Sequence, residues 1–379
     1  MRSFKAPVGT VVTAPNGAQV QVGSNNIAGV PYLTSQSQAA GSGCAASTQS
    51  MMYDANGNVL SKDDFQGDRI CFAYDSSNRE TLRVEGLANT VDCASVTPAN
   101  AVLPAGARRI ATQWHADWRL PITVTRVGVS ISTTVYHRQP DPFNANAVAN
   151  CATAPNLPNG KPRPLVCKQV EQAMLVNGTL DTSVPNRTTT YTYNASGKVL
   201  TSTDPNNRLT TYSYYTDTAF TGVDPNAIGH TTGDLQSITN PAGHITSFTS
   251  YDKAGRIRQS IDAKGITTDT SYTPRGWVSS TSVTPPGGTP RSTSYSYDAA
   301  GQLKVVTQPD GSTVTYSYDA AHRLIGIKDA QGNEVAYTLD NAGNRTAEQI
   351  KDPSGVLQRS INRSFDALNR LQQVSGAVQ

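Results

Sequence analysis

The chain has 379 residues, of which 37% are hydrophobic, and 31 basic against 28 acidic side chains leave a net charge of +3. So small an apolar supply argues against two or three domains with dry cores, and so balanced a charge leaves no patch for nucleic acid. No stretch reaches the roughly 18 apolar residues of a membrane helix, and no apolar run follows the start Met1–Thr10 as a secretory signal would require.

Along the chain, residues 1–50 are rich in Gly, Ser, Gln and Ala, with short strand-like runs such as Val20-Gln21-Val22. Residues 51–85 hold two copies of a short motif, Tyr53-Asp54 and Tyr74-Asp75, spaced 21 residues apart. Residues 86–190 read as degenerate repeats, with Pro- and Asn-rich insertions on either side of Arg109 to Tyr136. From 191 to 379 the array is regular: Tyr193, Tyr214, Tyr251, Tyr272, Tyr297 and Tyr318 are followed by Leu339 and Phe365 in equivalent places. Insertions fall at Thr216–Gly233, Pro285–Gly288 and Asp352–Gly355, and the array ends in mid-course. A period this short marks a repeat architecture.

The most complete units read Tyr297-Asp298 to Gly301-Gln302-Leu303 and Tyr318-Asp319 to Arg323-Leu324. Asp caps a β-turn with its side chain, and Gly three residues later takes the positive φ that closes a short hairpin loop with a bulge. The second turn of a unit carries Asp310-Gly311 or Asp329 with Gly332, and Gly343 follows Asp340 in the same way. Between turns, Thr313 to Tyr318 alternates, with Val314, Tyr316 and Tyr318 on one face and Thr313, Thr315 and Ser317 on the other. Each repeat therefore predicts a hairpin of two strands about 23 Å long, with successive tyrosines about 9.5 Å apart and a Leu303-type residue between them. The fold class is all-β, an array of antiparallel hairpins. Its structural positions are Tyr53, Tyr74, Tyr193, Tyr214, Tyr251, Tyr272, Tyr297, Gly301, Tyr318, Gly332, Gly343 and Phe365. Tyr outnumbers Phe 16 to 7, which suits a surface apolar at the ring and wet at the hydroxyl.

Arg256, Arg323, Arg345 and Arg370 recur just after a turn and are expected to pair with Asp252, Asp319, Asp340 and Asp366, at about 0–1 kcal/mol for each exposed pair. Cys44, Cys71, Cys93, Cys151 and Cys167 all lie in the first half. Cys71 and Cys93 stand about one repeat apart, and Cys151 and Cys167 bracket the Pro-rich stretch Ala154 to Pro164; disulfides and free buried thiols both fit the pattern.

Catalytic chemistry is not visible. His115, His137, His230, His244 and His322 show no HExxH or paired spacing, no CxxC supplies a metal-ligand pair, and no glycine loop suits a phosphate. His115 and Asp117, between Trp114 and Trp118, form the densest local cluster, which reads as packed strand rather than as an acid–base pair. The expectation is a protein that is not an enzyme and needs no cofactor or metal.

The Tyr-Asp units, best matched over Tyr191 to Leu371 with two more at Met52 to Leu82, resemble the RHS/YD-repeat family, which includes the shell components of bacterial toxin complexes. Arg109 to Pro121 also looks like the entry into such an array. The resemblance implies a sheet coiled into part of a hollow shell or a β-solenoid. It further implies a structural role, enclosing a toxin or effector polypeptide in a bacterial secreted system, with that cargo or a downstream RHS segment as partner. The location implied is secreted or at the cell surface, after a cytoplasmic stage. The alternative is a module that binds cell-surface carbohydrate through exposed aromatic and amide side chains. In related proteins a DPxG element marks self-cleavage; Asp352-Pro353-Ser354-Gly355 has those letters, but a further repeat follows it, so it reads as a turn. The ending suggests a fragment of a longer protein, with an unpaired sheet edge left for association.

Overall fold

The computed structural model describes residues 10–13, 19–38, 40, 45–98, 101–222 and 227–378. The start of the chain, where a secretory signal was sought, and Cys44 lie outside the described residues, as does the centre of the Thr216–Gly233 insertion. The described residues hold 31 strands and one four-residue helix, and 29 of the strands belong to one antiparallel sheet. The chain divides into two compact units between Leu209 and Thr210.

In the first unit, hairpins run from Thr10–Thr13 through Gln19–Ile27, Val30–Gln38, Ser47–Tyr53, Val59–Asp63, Asp68–Tyr74 and Glu80–Ala88. After an excursion they resume at Arg108–Trp114, Pro121–Arg126 and Ser130–Tyr136, and then at Val166–Ala173, Arg187–Tyr193 and Val199–Thr203. The excursion contains the helix Cys93–Val96, whose first turn is capped by the Asp92 carboxylate accepting the Ala94 N–H at 3.1 Å. It folds over the sheet and closes the main apolar core: Cys71, Leu82, Val84, Leu87 and Val96 are buried, flanked by Val91, Leu103 and Ala107. Cys71 is disulfide-bonded to Cys93 there, and Cys151 to Cys167 further on. Of the two readings open for these four cysteines, the structure takes the disulfides. In a chain-entropy account, loops of 22 and 16 residues each stabilise the fold by about 3 kcal/mol.

In the second unit, consecutive hairpins continue from Thr267–Tyr272 to Leu371–Val378, each strand pairing antiparallel with the next. Near its start, the insertion forms the short hairpin Ala219–Thr221 and Ile228–His230. This hairpin adds to the end of strand Ile245–Asp252 through Ile228↔Asp252 and Gly229↔Tyr251. Tyr251 and Asp252 are therefore buried, whereas Tyr297 and Tyr318 are half-buried. Among the described residues from 291 onward, only Val306 and Gly326 are buried. The second unit is a thin sheet, in keeping with its Ser- and Thr-rich strands.

Candidate functional site

The recurring site is the seam between hairpins, and its first part is the turn. At Asp319 the backbone N–H donates to the Arg323 carbonyl at 2.9 Å, and the His322 N–H donates to the Asp319 carbonyl at 2.9 Å. The Asp319 carboxylate accepts the N–H groups of Ala321 and Arg323 at 2.9 Å each, and Nε of Arg323 at 2.8 Å. The same pattern recurs at Asp54, Asp75, Asp252, Asp298 and Asp366. The third residue after Asp has positive φ: Gly57, Gly255, Gly301 and Gly343 do, and so do Asn78, His322 and Asn369 in the same place. Asp352-Pro353-Ser354-Gly355 makes an identical turn, with the Asp352 N–H on the Val356 carbonyl at 3.0 Å.

Three of the four expected arginine pairs form: Arg256 with Asp252, Arg323 with Asp319 and Arg370 with Asp366. Arg345 does not pair with Asp340. It lies one residue later in its turn than the other three, so Asn344 reaches back to Asp340 at 2.9 Å. Arg345 instead stacks on the Tyr337 ring at 3.8 Å and meets Glu348 at 3.1 Å.

Gly301 and Gly311 separate space from conformation. Both have positive φ, 92° and 83°, but a Cβ on Gly301 would sit 2.5 Å from the Trp277 ring while Gly311 faces open space. Gly311→Ala is expected to cost about 1–2 kcal/mol from left-handed backbone alone, and Gly301→Ala to cost more. Equal shifts of the two variants in thermal melts would show that Trp277 yields freely.

The second part of the seam is the tyrosine. At each Tyr position the opposing strand carries one extra residue: Tyr297 faces Leu303 while Ser296 faces Val305, and Tyr318 faces Leu324 while Ser317 faces Gly326. The same bulge follows Tyr53, Tyr74, Tyr193, Tyr214, Tyr251 and Tyr272, and also Leu339 and Phe365. The phenol of one repeat then donates to the main-chain carbonyl at the Leu position of the repeat before. Tyr318 reaches Leu303 at 3.0 Å, Tyr297 reaches Val278 at 2.8 Å, and Tyr272 reaches Ile257 at 2.9 Å. Tyr251, Tyr193, Tyr74 and Tyr53 reach Leu235, Val166, Val59 and Leu33 in turn. The hydroxyl is thus a hydrogen-bond donor between repeats, and not the wet tip that composition alone suggests. At this position Phe365 and Leu339 offer no such donor.

The stretch that reads as degenerate repeats holds two tight copies of this site, at positions that lack the Tyr-Asp letters. Trp114 occupies the Tyr position, facing Pro121 across the bulge, and its indole N–H donates to the Glu80 carbonyl at 2.7 Å. Tyr136 does the same through its hydroxyl, to the Pro121 carbonyl at 3.0 Å. His115 and His137 then stand where Asp stands elsewhere. His115 is 3% exposed, and its Nδ1 accepts the Asp117 N–H at 3.0 Å, the bond an Asp carboxylate makes in the other turns. Burial first, then the Lys161 ammonium, hold its pKa low against the opposing pull of Asp117. The ring serves the turn as a neutral acceptor, and Asp117 is paired with Lys161 at 2.7 Å. The signal was the preserved aromatic before each histidine.

The turn carboxylates set a pH dependence. The pKa of Asp319 is lowered by hydrogen bonds from the Arg323 backbone and side chain, and that of Asp366 first by the Arg370 backbone N–H and then, against the raising effect of desolvation, by the Arg370 side chain. A depressed carboxylate contributes stability that is present above its unfolded pKa and lost as pH falls through the folded one. Stability is therefore expected to decline below about pH 4. Asp319→Asn should shift the melting temperature less at acid pH than at neutral pH, and equal shifts would show that the carboxylate charge is immaterial.

Bulge, turn and phenol together define a protein built of repeated hairpins, most of them stitched to the preceding one through a side-chain donor. Residues 251–290, 291–313, 297–334 and 318–357 match the family model for the RHS repeat. Residues 251–357 are thus RHS repeats. By sequence, no curated protein matches it. Among solved structures it is similar to TcdB2-TccC3 without the hypervariable C-terminal region, at 15% identity and a TM-score of 0.60, over 97% of this chain and 19% of that one. It is also similar to a Photorhabdus luminescens Tc holotoxin pore carrying a TccC3 mutation, at 14% identity and a TM-score of 0.52, over 97% of this chain and 21% of that one. The chain thus spans about a fifth of the length of these structures, which share its fold.

Proposed function

We propose that this chain is a wall segment of an RHS shell, which helps enclose a toxin or effector polypeptide and carries out no catalysis by itself. The observation that carries the reading is the phenol-to-carbonyl bond repeated from hairpin to hairpin. It makes extension of a sheet, rather than construction of a pocket, the outcome of the sequence. The shared fold with Tc toxin structures supports the same role. On this reading the sheet coils into part of a hollow container, the twelve named Tyr, Gly and Phe positions hold its repeats together, and its partners are the cargo and a further RHS segment. It acts outside the producing cell or at its surface. Among the described residues, no helix is long and apolar enough to cross a membrane.

The test is to produce the chain alone and together with the polypeptide encoded downstream of it, followed by limited proteolysis. The expected result is co-purification, with the partner polypeptide resistant to protease in the complex and cleaved when free. Equal cleavage in both states overturns enclosure, and retention on cell-surface glycans without any partner would favour the carbohydrate-binding alternative.

A further inference from the structure

His137 stands in the Asp position of its repeat, as His115 does, but does not play that part. Its backbone N–H donates to the Leu165 carbonyl at 2.8 Å, as the turn requires. Its side chain is 2% exposed, yet neither ring nitrogen has a hydrogen-bond partner. Burying an imidazole with both nitrogens unpaired costs free energy that a turn alone does not recover. What faces the ring is sulfur: one nitrogen of His137 and the Sγ atoms of Cys151 and Cys167 all lie within 4.8 Å of one another.

Strand register and backbone hydrogen bonds place these groups together. Tyr136 pairs with Val166, and Cys167 is the extra residue of the bulge beside it, since Val135 pairs with Lys168. Cys151 is anchored by its carbonyl, which accepts the Tyr193 N–H at 2.8 Å. The two cysteine Cα atoms are 5.3 Å apart, and two thiolates on a tetrahedral zinc ion, each about 2.3 Å from the metal, stand about 3.8 Å from each other. Side-chain rotation over that backbone spacing opens the sulfurs to a metal with no strand moved. The neighbouring carboxylate is not available, because Asp141 is held by Lys168 and by the Phe143 N–H.

We propose that Cys151, Cys167 and His137 form a redox-gated site for a soft divalent cation such as Zn²⁺, closed as a disulfide and open to metal as a dithiol. Two equivalents of an external thiol transfer an electron pair to the Cys151–Cys167 bond and become a disulfide, leaving two protein thiols. The metal then displaces both thiol protons to solvent, forms two metal–sulfur bonds, and takes the lone pair of one His137 nitrogen. Three protein ligands leave a fourth position for water. Because the same sulfur atoms make either the disulfide or the metal bonds, the two states exclude each other, and the segment from 151 to 167 is tied down in both.

Cobalt(II) is the probe, since thiolate ligation gives it visible ligand-field and charge-transfer bands. The full chain reduced with excess thiol, then freed of the reductant without oxygen, is expected to bind one equivalent, to release it to zinc, and to bind none while oxidised. His137→Asn should weaken binding by at least about tenfold, and Cys151→Ser with Cys167→Ser should abolish the bands. Variants lacking the other thiols, Cys44→Ser or Cys71→Ser with Cys93→Ser, should retain them. Absence of the bands from the reduced chain overturns the proposal. So does a spectrum that survives His137→Asn, whether circular dichroism shows the reduced chain folded or unfolded.

Discussion

Replacing Tyr251 with alanine is expected to destabilise the second unit by about 3–5 kcal/mol, the range for a large aromatic removed from a packed site. Tyr251 is 5% exposed, covered because the insertion hairpin pairs Gly229 against it, and its hydroxyl donates to the Leu235 carbonyl. Tyr251→Phe keeps the ring but strands that carbonyl, so about 1–3 kcal/mol is expected. Tyr318 makes the equivalent bond from a half-exposed site, and Tyr318→Ala should cost about 2–4 kcal/mol. Ser317, its exposed neighbour, should be nearly silent when changed to alanine. Urea melts decide the matter: a Tyr251→Ala loss no larger than that of Ser317→Ala would refute the seam as the source of stability.

The second large effect is alkaline unfolding. Burial, then the nearby Asp234 and Tyr215, push the Tyr251 phenol up to about 12. Tyr53, Tyr74, Tyr136, Tyr193, Tyr214 and Tyr318 are raised too, each with burial as the largest cause. A phenol must keep its proton to donate to a carbonyl. Its folded pKa lies above the unfolded value near 10, so its contribution is complete below about pH 10 and is lost as pH rises toward 12. For Tyr251 alone the loss is on the order of 3 kcal/mol, at about 1.4 kcal/mol for each pKa unit. Denaturant midpoints should hold steady up to about pH 9 and fall steeply above pH 10, with phenolate absorbance appearing together with unfolding. Tyr251→Phe should flatten part of that fall. Phenolate absorbance that rises at the ordinary tyrosine pKa, with the strand signal intact, would mean that the hydroxyls are not committed to the seam.

Turn chemistry was legible in the sequence because it is complete within five residues. An Asp whose carboxylate meets the N–H groups two and four positions on, and a residue of positive φ three positions on, determine a hairpin wherever the chain runs afterwards. Together with strand alternation, those turns determined the all-β fold and its period. The sequence did not disclose what lies beyond the reach of one turn. Which carbonyl receives the Tyr318 hydroxyl depends on the strand alongside and on the bulge that sets its register. Burial of Tyr251 depends on where an insertion lands, since the same Tyr-Asp letters are half-exposed at Tyr297-Asp298. The histidines differ for the same reason: identical places in the repeat give His115 a backbone partner and leave His137 facing Cys151 and Cys167. Local hydrogen-bonding geometry is a property of a few consecutive residues, whereas the partner of a buried polar atom is supplied by chain brought in from another repeat, and only the tertiary structure decided it.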